Sequence, residues 1–316
     1  VRIGRYLLRR VLQLIPVLFV IVVIEFALIH LAPGDVARIM AGENQDPAYI
    51  EAVRHRLALD QPLPQQFLHY LGGLLRGELG DSSTYGTPVL TVIWQRVGPT
   101  ILLLGTSLVI ASVLGTVLGT WLSRRVGSAT DTVLSVLAVG SYSIPVFWLG
   151  LVLILIFGVW LRVLPTSGMS DGTGGIGDVL RHLILPVAAL TTVYLGQYLR
   201  LSRTTVHDTL REDYVKAARA AGFSERTILF RFALRNALLP IVTVFGLHLG
   251  LVLAGAVLTE AVFSWPGLGT LLYQAILARD IPLVTGTYLI IGVTVLIATI
   301  LTDLCYAWLD PRVEYR

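Results

Sequence analysis

Lysine is almost missing from this 316-residue chain: Lys216 stands alone against twenty-three arginines. A phosphate-binding loop of the Walker type ends in Gly-Lys-Ser/Thr. Lys216 lies between Val215 and Ala217, so the chain carries no such loop and is not expected to hydrolyse nucleotides. Cysteine is as scarce, and Cys305 alone excludes an internal disulfide or a cysteine-based metal cluster. There is no H-E-x-x-H, no nucleophile elbow and no paired-carboxylate constellation, so the chain reads as a pathway and not an enzyme, with no metal or cofactor of its own. Charge is thin throughout. Charged residues make up 14% of the chain and hydrophobic ones 55%, with a mean hydropathy of +0.76. Those values belong to an integral membrane protein. The net charge of +4 does not imply nucleic acid, because the arginines flank apolar segments, where membrane topology accounts for them.

Six windows are apolar enough to cross a hydrocarbon core roughly 30 Å thick, which takes about 20 helical residues. They are residues 9–31 and the stretches between Arg96 and Arg124, Asp131 and Arg162, Arg181 and Arg200, Arg235 and Glu260, and Asp280 and Asp303. The first run continues to Leu31 without a small-residue cleavage site and reads as a retained span, not a signal peptide. The third is long and carries Pro145, which predicts a kink; the fourth, with Pro186, is the shortest. Placing the N-terminus inside puts sixteen basic residues on the inner side and eight on the outer, so both termini and residues 200–235 are expected in the cytoplasm. The expected fold is all-α: six transmembrane helices with a small helical extracytoplasmic segment after the first. In that segment Asp46-Pro47 reads as a cap and first helical residue ahead of Ile50, Val53 and Leu57, and Leu68, Leu71 and Leu75 suggest a second short helix. The expected division is 1–32, tail and first span; 33–96, the extracytoplasmic segment; 97–310, a five-helix core including the cytoplasmic loop 206–236; and 311–316, a tail.

Small residues recur every fourth position at Ala111, Gly115 and Gly119, and again at Gly246, Gly250 and Ala254. Such rows let helices approach backbone to backbone, within the chain or against a partner subunit. Glu25, His30, His248, Glu260 and Asp303 lie in or beside spans, where ionisable groups are costly. Ser141, Ser143, Thr191, Thr192, Tyr194 and Gln197 are candidates to line a polar passage, with His248.

The most distinctive stretch is the loop 211–240. Tyr214, Ala217, Ala218 and Ala221 share one face of a helix at i, i+3, i+4, i+7 spacing. Gly222 stands where a left-handed residue ends it. Ser224 caps a second helix, with Glu225 in its first turn and Phe223 and Ile228 at hydrophobic-staple spacing; this helix is expected to end at Pro240. Such a loop is either a connector whose arginines obey topology or a small-residue surface for another protein.

DYVKAARAAGFSERTILFRFALRNALLP resembles the cytoplasmic "EAA" loop of membrane subunits in binding-protein-dependent ABC importers, most of all the oligopeptide/dipeptide branch. The pattern Glu-Ala-Ala, three residues, Gly falls on Lys216, Ala217, Ala218 and Gly222, with Lys216 replacing the usual acid. Pro240 follows the Arg235–Leu238 run late, as in that branch. The resemblance continues through LLRRVLQLIPVLF, Pro33-Gly34-Asp35, LDQPLPQQF, LRGELGDS, SIPVFWLG, Leu164-Pro165, EAVFSWPGLG, Arg279-Asp280 and Asp310-Pro311-Arg312. Glu78 departs from a common Asp, and His248 from an expected Gln.

The resemblance implies a permease subunit in the bacterial cytoplasmic membrane, surrounded by lipid. It would pair with a second similar permease, two cytoplasmic ATPases (separate or fused) that hold ATP and Mg, and an extracytoplasmic solute-binding protein. Residues 212–222 would seat in a groove of the ATPase, with Tyr214, Lys216, Ala217, Ala218, Ala221 and Gly222 in the contact. Glu260, Trp265 and Pro266 would form an extracytoplasmic gate or a contact with the binding protein. Peptides are the expected cargo, and nickel, glutathione or a glycan the alternatives. A rival from another class is a proton-coupled carrier using Glu25, His248 and Asp303. A third is a purely structural membrane subunit.

Overall fold

The computed structural model describes residues 2–31, 34–41, 46–172, 174–255 and 257–309, with the side chains of 2–11, 39–40, 250–255, 303 and 305–309 excepted. Pro33, the Asp310-Pro311-Arg312 run, the tail 311–316 and the side chains of Asp303 and Ala254 therefore lie outside the description. Every element longer than a bridge among the described residues is helical. Five helices are long and apolar enough to cross a membrane, and a bent pair supplies a sixth crossing if its two halves count as one. The chain divides into two compact units: residues up to Thr100 with Pro266–Ile297, and Ile101–Trp265 with the chain from Ala298.

In the first unit, α1 (Arg2–Leu31) carries exposed Leu12, Phe19, Val20 and Leu28 along its length, as a lipid-facing helix should. α2 (Val36–Ala41), α3 (Pro47–Arg56) and α4 (Leu63–Leu75) follow. Asp46 caps α3 as expected, its carboxylate accepting from the Ala48 N–H at 3.1 Å with Pro47 at the first position. Ile50 and Val53 are buried with Ala37 and Ala41, and Leu57 packs against them. The second short helix suggested by the leucines is α4. Leu68 and Leu75 point outward, because Phe67 and Tyr70 supply larger rings on the opposite face. Phe67 meets Phe19 and Phe26 of α1 edge-on at 5.9 and 5.3 Å. Gln66 on that face is buried, and its Oε1 faces the His30 Nε2 at 2.8 Å.

The second span begins earlier than the charge pattern suggests: α5 runs Val89–Leu122 and includes Arg96 and Pro99. α13 (Leu268–Leu277) and the first part of α14 (Ile281–Leu309) complete this unit. Asp280 caps α14 from a buried position, accepting from Ser82 Oγ at 2.5 Å, Thr84 N at 2.9 Å and Leu283 N at 3.2 Å.

In the second unit the third span is broken, not kinked. α6 (Ala129–Ser143) and α7 (Val146–Leu153) meet at about 100°. The residue before a proline is driven out of the helical region, and Ile144 sits at φ −83°, ψ 129°. α7 runs on as a π-helical stretch, Ile154–Trp160. The fourth span proves the longest in this unit: α8 covers Ile176–Thr209, its 34 residues continuing through Pro186. After the turn region come α9 (Asp213–Ala220), α10 (Glu225–Thr227), a second π-helical stretch at Ile228–Ala233, and α11 (Leu234–Gly255). Pro240 lies inside α11 and does not end it. α12 (Val257–Val262) follows, a short helix absent from the sequence-based expectation.

α8 is the post of this unit. A Cβ at Gly119 would stand 2.4 Å from the Leu199 carbonyl, and one at Gly115 2.5 Å from Tyr198 Cβ. On its other side, a Cβ at Gly196 would lie 2.4 Å from the Ala138 carbonyl of α6. The first small-residue row therefore packs inside the chain. So does Gly246 of the second, where the side chain of Thr302 fills the space a Cβ would need. Gly119→Ala is expected to lower stability by about 2 kcal/mol through overpacking. Gly105→Ala, with open space around it, should be neutral or slightly stabilising. Thermal unfolding of the two variants in detergent checks this, and equal effects would contradict the packing.

Candidate functional site

Residues 211–236 build an exposed helix on a fixed turn. Glu212 is extended at the N-cap, and α9 makes two turns before Ala221. The chain then leaves through Gly222 at φ +82°. Phe223 N donates to Ala218 O at 3.2 Å and Gly222 N to Arg219 O at 3.0 Å. This pair of bonds defines the Schellman ending. Nothing lies within 4 Å of where a Cβ at Gly222 would stand, so glycine is required for its backbone conformation and not for space.

Ser224 Oγ caps the next helix by accepting from Thr227 N at 3.3 Å. Phe223 pairs with Phe232 (rings 5.4 Å apart) rather than with Ile228, because Ile228 is buried beneath α9. Val215 and Ala218 pack onto Ile228 there, with Leu210 and Phe232 beside them. The structure thus brings Tyr214, Lys216, Ala217, Ala221 and Gly222 to the exposed side. It turns Ala218 inward, a correction to the expected face. The apolar stripe that anchors the helix is Val215 with Ala218 at i, i+3, since valine is the bulkiest apolar residue available.

Polar contacts lock the orientation. Lys216 Nζ bonds Asp213 Oδ1 at 2.8 Å, and Arg219 Nε bonds Glu225 Oε1 at 2.7 Å, bridging the glycine turn. The Lys216 hydrogen bond holds the Asp213 carboxyl below its ordinary range, and the Glu225 hydrogen bond raises the Arg219 guanidinium. Asn236 Nδ2 donates to the Tyr214 hydroxyl at 2.6 Å. The result is a small-residue surface with one aromatic ring at its edge.

The α8 end that leads into this helix is pinned by an ion pair that sequence reading missed. Asp131, buried at the start of α6, is gripped by both Nε and Nη2 of Arg203, the second at 2.6 Å. The same carboxylate accepts from Gly127 N at 2.9 Å. In the sequence both residues read as topology charges bounding spans, and a pairing 72 residues apart leaves no local signal.

The expected pathway residues are scattered. Ser143 is exposed and bonds the Val139 carbonyl of its own helix at 2.9 Å. Ser141 bonds Ala138 O at 2.8 Å, at the close crossing with Gly196. Gln197 is half-buried. His248 is buried, its Nδ1 3.0 Å from the Tyr198 hydroxyl, with the Tyr198 ring edge-on to it and the Tyr194 ring tilted against it. Glu260 and Trp265 are fully buried and Pro266 half-buried. Trp265 sits in a cluster with Leu103, Leu183 and Leu190. The contact half of the Glu260/Trp265 expectation is thus corrected, since a docking protein cannot reach these two side chains. Glu25 is also buried.

Removing Arg203 alone leaves Asp131 buried without its cation, so Arg203→Ala should cost on the order of 3 kcal/mol. The double change Asp131→Asn with Arg203→Gln should cost less than the single one. Denaturant or thermal unfolding in detergent reads both; a double variant no better than Arg203→Ala would count against the pair.

Comparison with known proteins falls on the whole of this architecture. The model for the binding-protein-dependent transport system inner membrane component matches residues 111–315, and that for the N-terminal part of such membrane components matches residues 3–104. The di/tripeptide transport system permease protein DppB of Pseudomonas aeruginosa is 39% identical over 98% of this chain and 99% of its own length. A probable peptide ABC transporter permease protein, y4tP, of Sinorhizobium fredii is 36% identical over 99% and 100%. The glutathione transport system permease protein GsiC of Escherichia coli K12 is 38% identical over 98% and 99%. With both models matched in order along the chain, it belongs to the family of binding-protein-dependent transport system inner membrane components.

Proposed function

We propose that this chain is one permease subunit of an ABC importer that carries peptides across the bacterial cytoplasmic membrane. The observation that carries the reading is the α9 surface: Tyr214, Ala217 and Ala221 exposed on a helix held by the Schellman turn at Gly222. A short helix with small residues outward suits insertion into a groove on another protein. The arginine excess puts this loop and both termini on the cytoplasmic side, with residues 33–96 outside.

ATP and Mg are held by two partner ATPases, whose closure moves α9 and rocks the spans between inward- and outward-open arrangements. A second permease of the same kind completes the pathway, and an extracytoplasmic solute-binding protein delivers the cargo. Among the relatives, one is named for di- and tripeptides and one for glutathione. Glutathione is itself a tripeptide, so short peptides are the common cargo and glutathione the second reading.

Gly222→Val forces a β-branched residue into the left-handed region, which costs about 1–2 kcal/mol or more. The expected result is loss of ATP-driven dipeptide uptake in proteoliposomes holding the full complex, with the chain still folded. Ala217→Arg should in addition stop the ATPases co-purifying. Normal uptake and association in both variants would overturn the reading. Uptake by this chain alone under a pH gradient would favour a carrier.

A further inference from the structure

The function above leaves unused one cluster of side chains where α8 begins. His182 is 3% exposed, and both of its ring nitrogens face oxygen. Nδ1 lies 3.0 Å from the Asp178 carbonyl and 3.3 Å from Asp178 Oδ1; Nε2 lies 3.2 Å from Asp171 Oδ1. A neutral imidazole carries one N–H and one lone pair. If Nδ1–H is given to the Asp178 carbonyl, the Nε2 lone pair is aimed at a carboxylate oxygen. Two lone pairs at that distance repel, and either a second ring proton or a metal ion at Nε2 removes the repulsion.

The arrangement matches a metal site in several independent respects. One ligand atom from each of Asp171, Asp178 and His182 can be chosen so that all three lie within 4.8 Å of one another. Zinc bonds of about 2.0–2.2 Å in a tetrahedron put neighbouring ligand atoms roughly 3.3 Å apart. The Nε2–Asp171 pair is already there. A metal-bound histidine donates its other N–H to a carbonyl or carboxylate that fixes its tautomer, and the Asp178 carbonyl is in that position. The carboxylate of Asp178 is itself held, accepting from Ser170 Oγ at 2.6 Å and Asp171 N at 3.0 Å. Access is one-sided. The Asp171 side chain is 68% exposed, while those of Asp178 and His182 are 9% and 1% exposed. An ion can enter from the loop and retain an open coordination position.

We propose that Asp171, Asp178 and His182 form a binding site for a divalent transition-metal ion of the zinc type, tying the loop before α8 to the first turns of that helix. The donor set of one imidazole and two carboxylates suits Zn²⁺ and its analogue Co²⁺ better than Mg²⁺, which prefers oxygen ligands alone. The spacing Asp-x6-Asp-x3-His matches no metal motif, so the site is not readable from the residues alone.

The test uses the full chain purified in detergent, with any affinity tag cleaved and metal stripped by chelator. Titration with zinc chloride should show one saturable equivalent at micromolar affinity or tighter, and Co²⁺ should develop the visible absorption of a four-coordinate ion. Asp171→Asn changes only an exposed loop side chain and should weaken Zn²⁺ binding tenfold or more. Asp178→Asn should do the same, whereas His55→Gln on α3 should not. Hydrogen exchange of residues 168–182 should slow with Zn²⁺ in the unmodified chain and not in Asp171→Asn. No saturable uptake, or uptake unchanged by both Asp substitutions, overturns the proposal. So does a His182 that holds a proton on Nε2 at neutral pH and does not yield it to added Zn²⁺.

Discussion

Lipid tails are as apolar as leucine, so burying leucine on leucine gives membrane helices little reason to associate. What remains is the distance to which two backbones can come. In the second unit that distance reaches its limit around α8. Gly115 and Gly119 admit it on one side, and its own Gly196 admits the Ala138 carbonyl on another. Tyr198, which Gly115 faces, also sends its hydroxyl to His248 of α11, so that contact lies beside the glycine approach. The Asp131–Arg203 pair closes α6 onto α8 where the glycine contacts end. α9 starts at Asp213, four residues after Thr209 ends α8. Whatever moves α9 is therefore working against the most tightly held helix in the unit.

The first unit is held differently. Beside a small aliphatic cluster of Ala37, Ala41, Ile50 and Val53, it has aromatic and polar contacts: Phe67 between Phe19 and Phe26, Gln66 facing His30, and Asp280 gathering Ser82, Thr84 and Leu283. Gly286 contributes one close approach, to the Val89 side chain. Arg54 and Asp35 pair at 2.7 Å in the surface segment. Short helices joined by turns cannot bury long apolar faces. Such a segment has to be fixed by specific bonds instead.

Much of this was legible in the residues. Hydropathy located the spans, because about 20 apolar residues in a row leave the chain few other options. Asp46-Pro47, Ser224 and Gly222 were readable because caps and left-handed turns depend on single residue types. The arrangement of faces was harder. Tyr214, Ala217, Ala218 and Ala221 share a helix face by spacing, yet the anchoring contact chose Val215 and Ala218, since the neighbour that decides it, Ile228, lies across the turn. On α4 too the partner decided the face: Phe67 and Tyr70 found aromatic rings on α1, and Leu68 and Leu75 face outward. Pro145 was expected to kink a helix and broke it, while Pro186 and Pro240 were absorbed. Asp131–Arg203 and Asp280 were invisible because their partners are 72 and about 200 residues away.

The π-helical stretch at Ile228–Ala233 sets the phase between the Gly222 turn and the span that follows it. A π-helical turn accommodates one residue more than the α-helical path it interrupts, and each residue of an α-helix advances the chain by about 100°. Wound as plain α-helix, the same sequence would present Ile228 roughly a quarter-turn away, off the seat that Val215 and Ala218 now occupy. The direction in which the exposed helix points is thus stored as a register, one residue wide, between a glycine and a transmembrane segment.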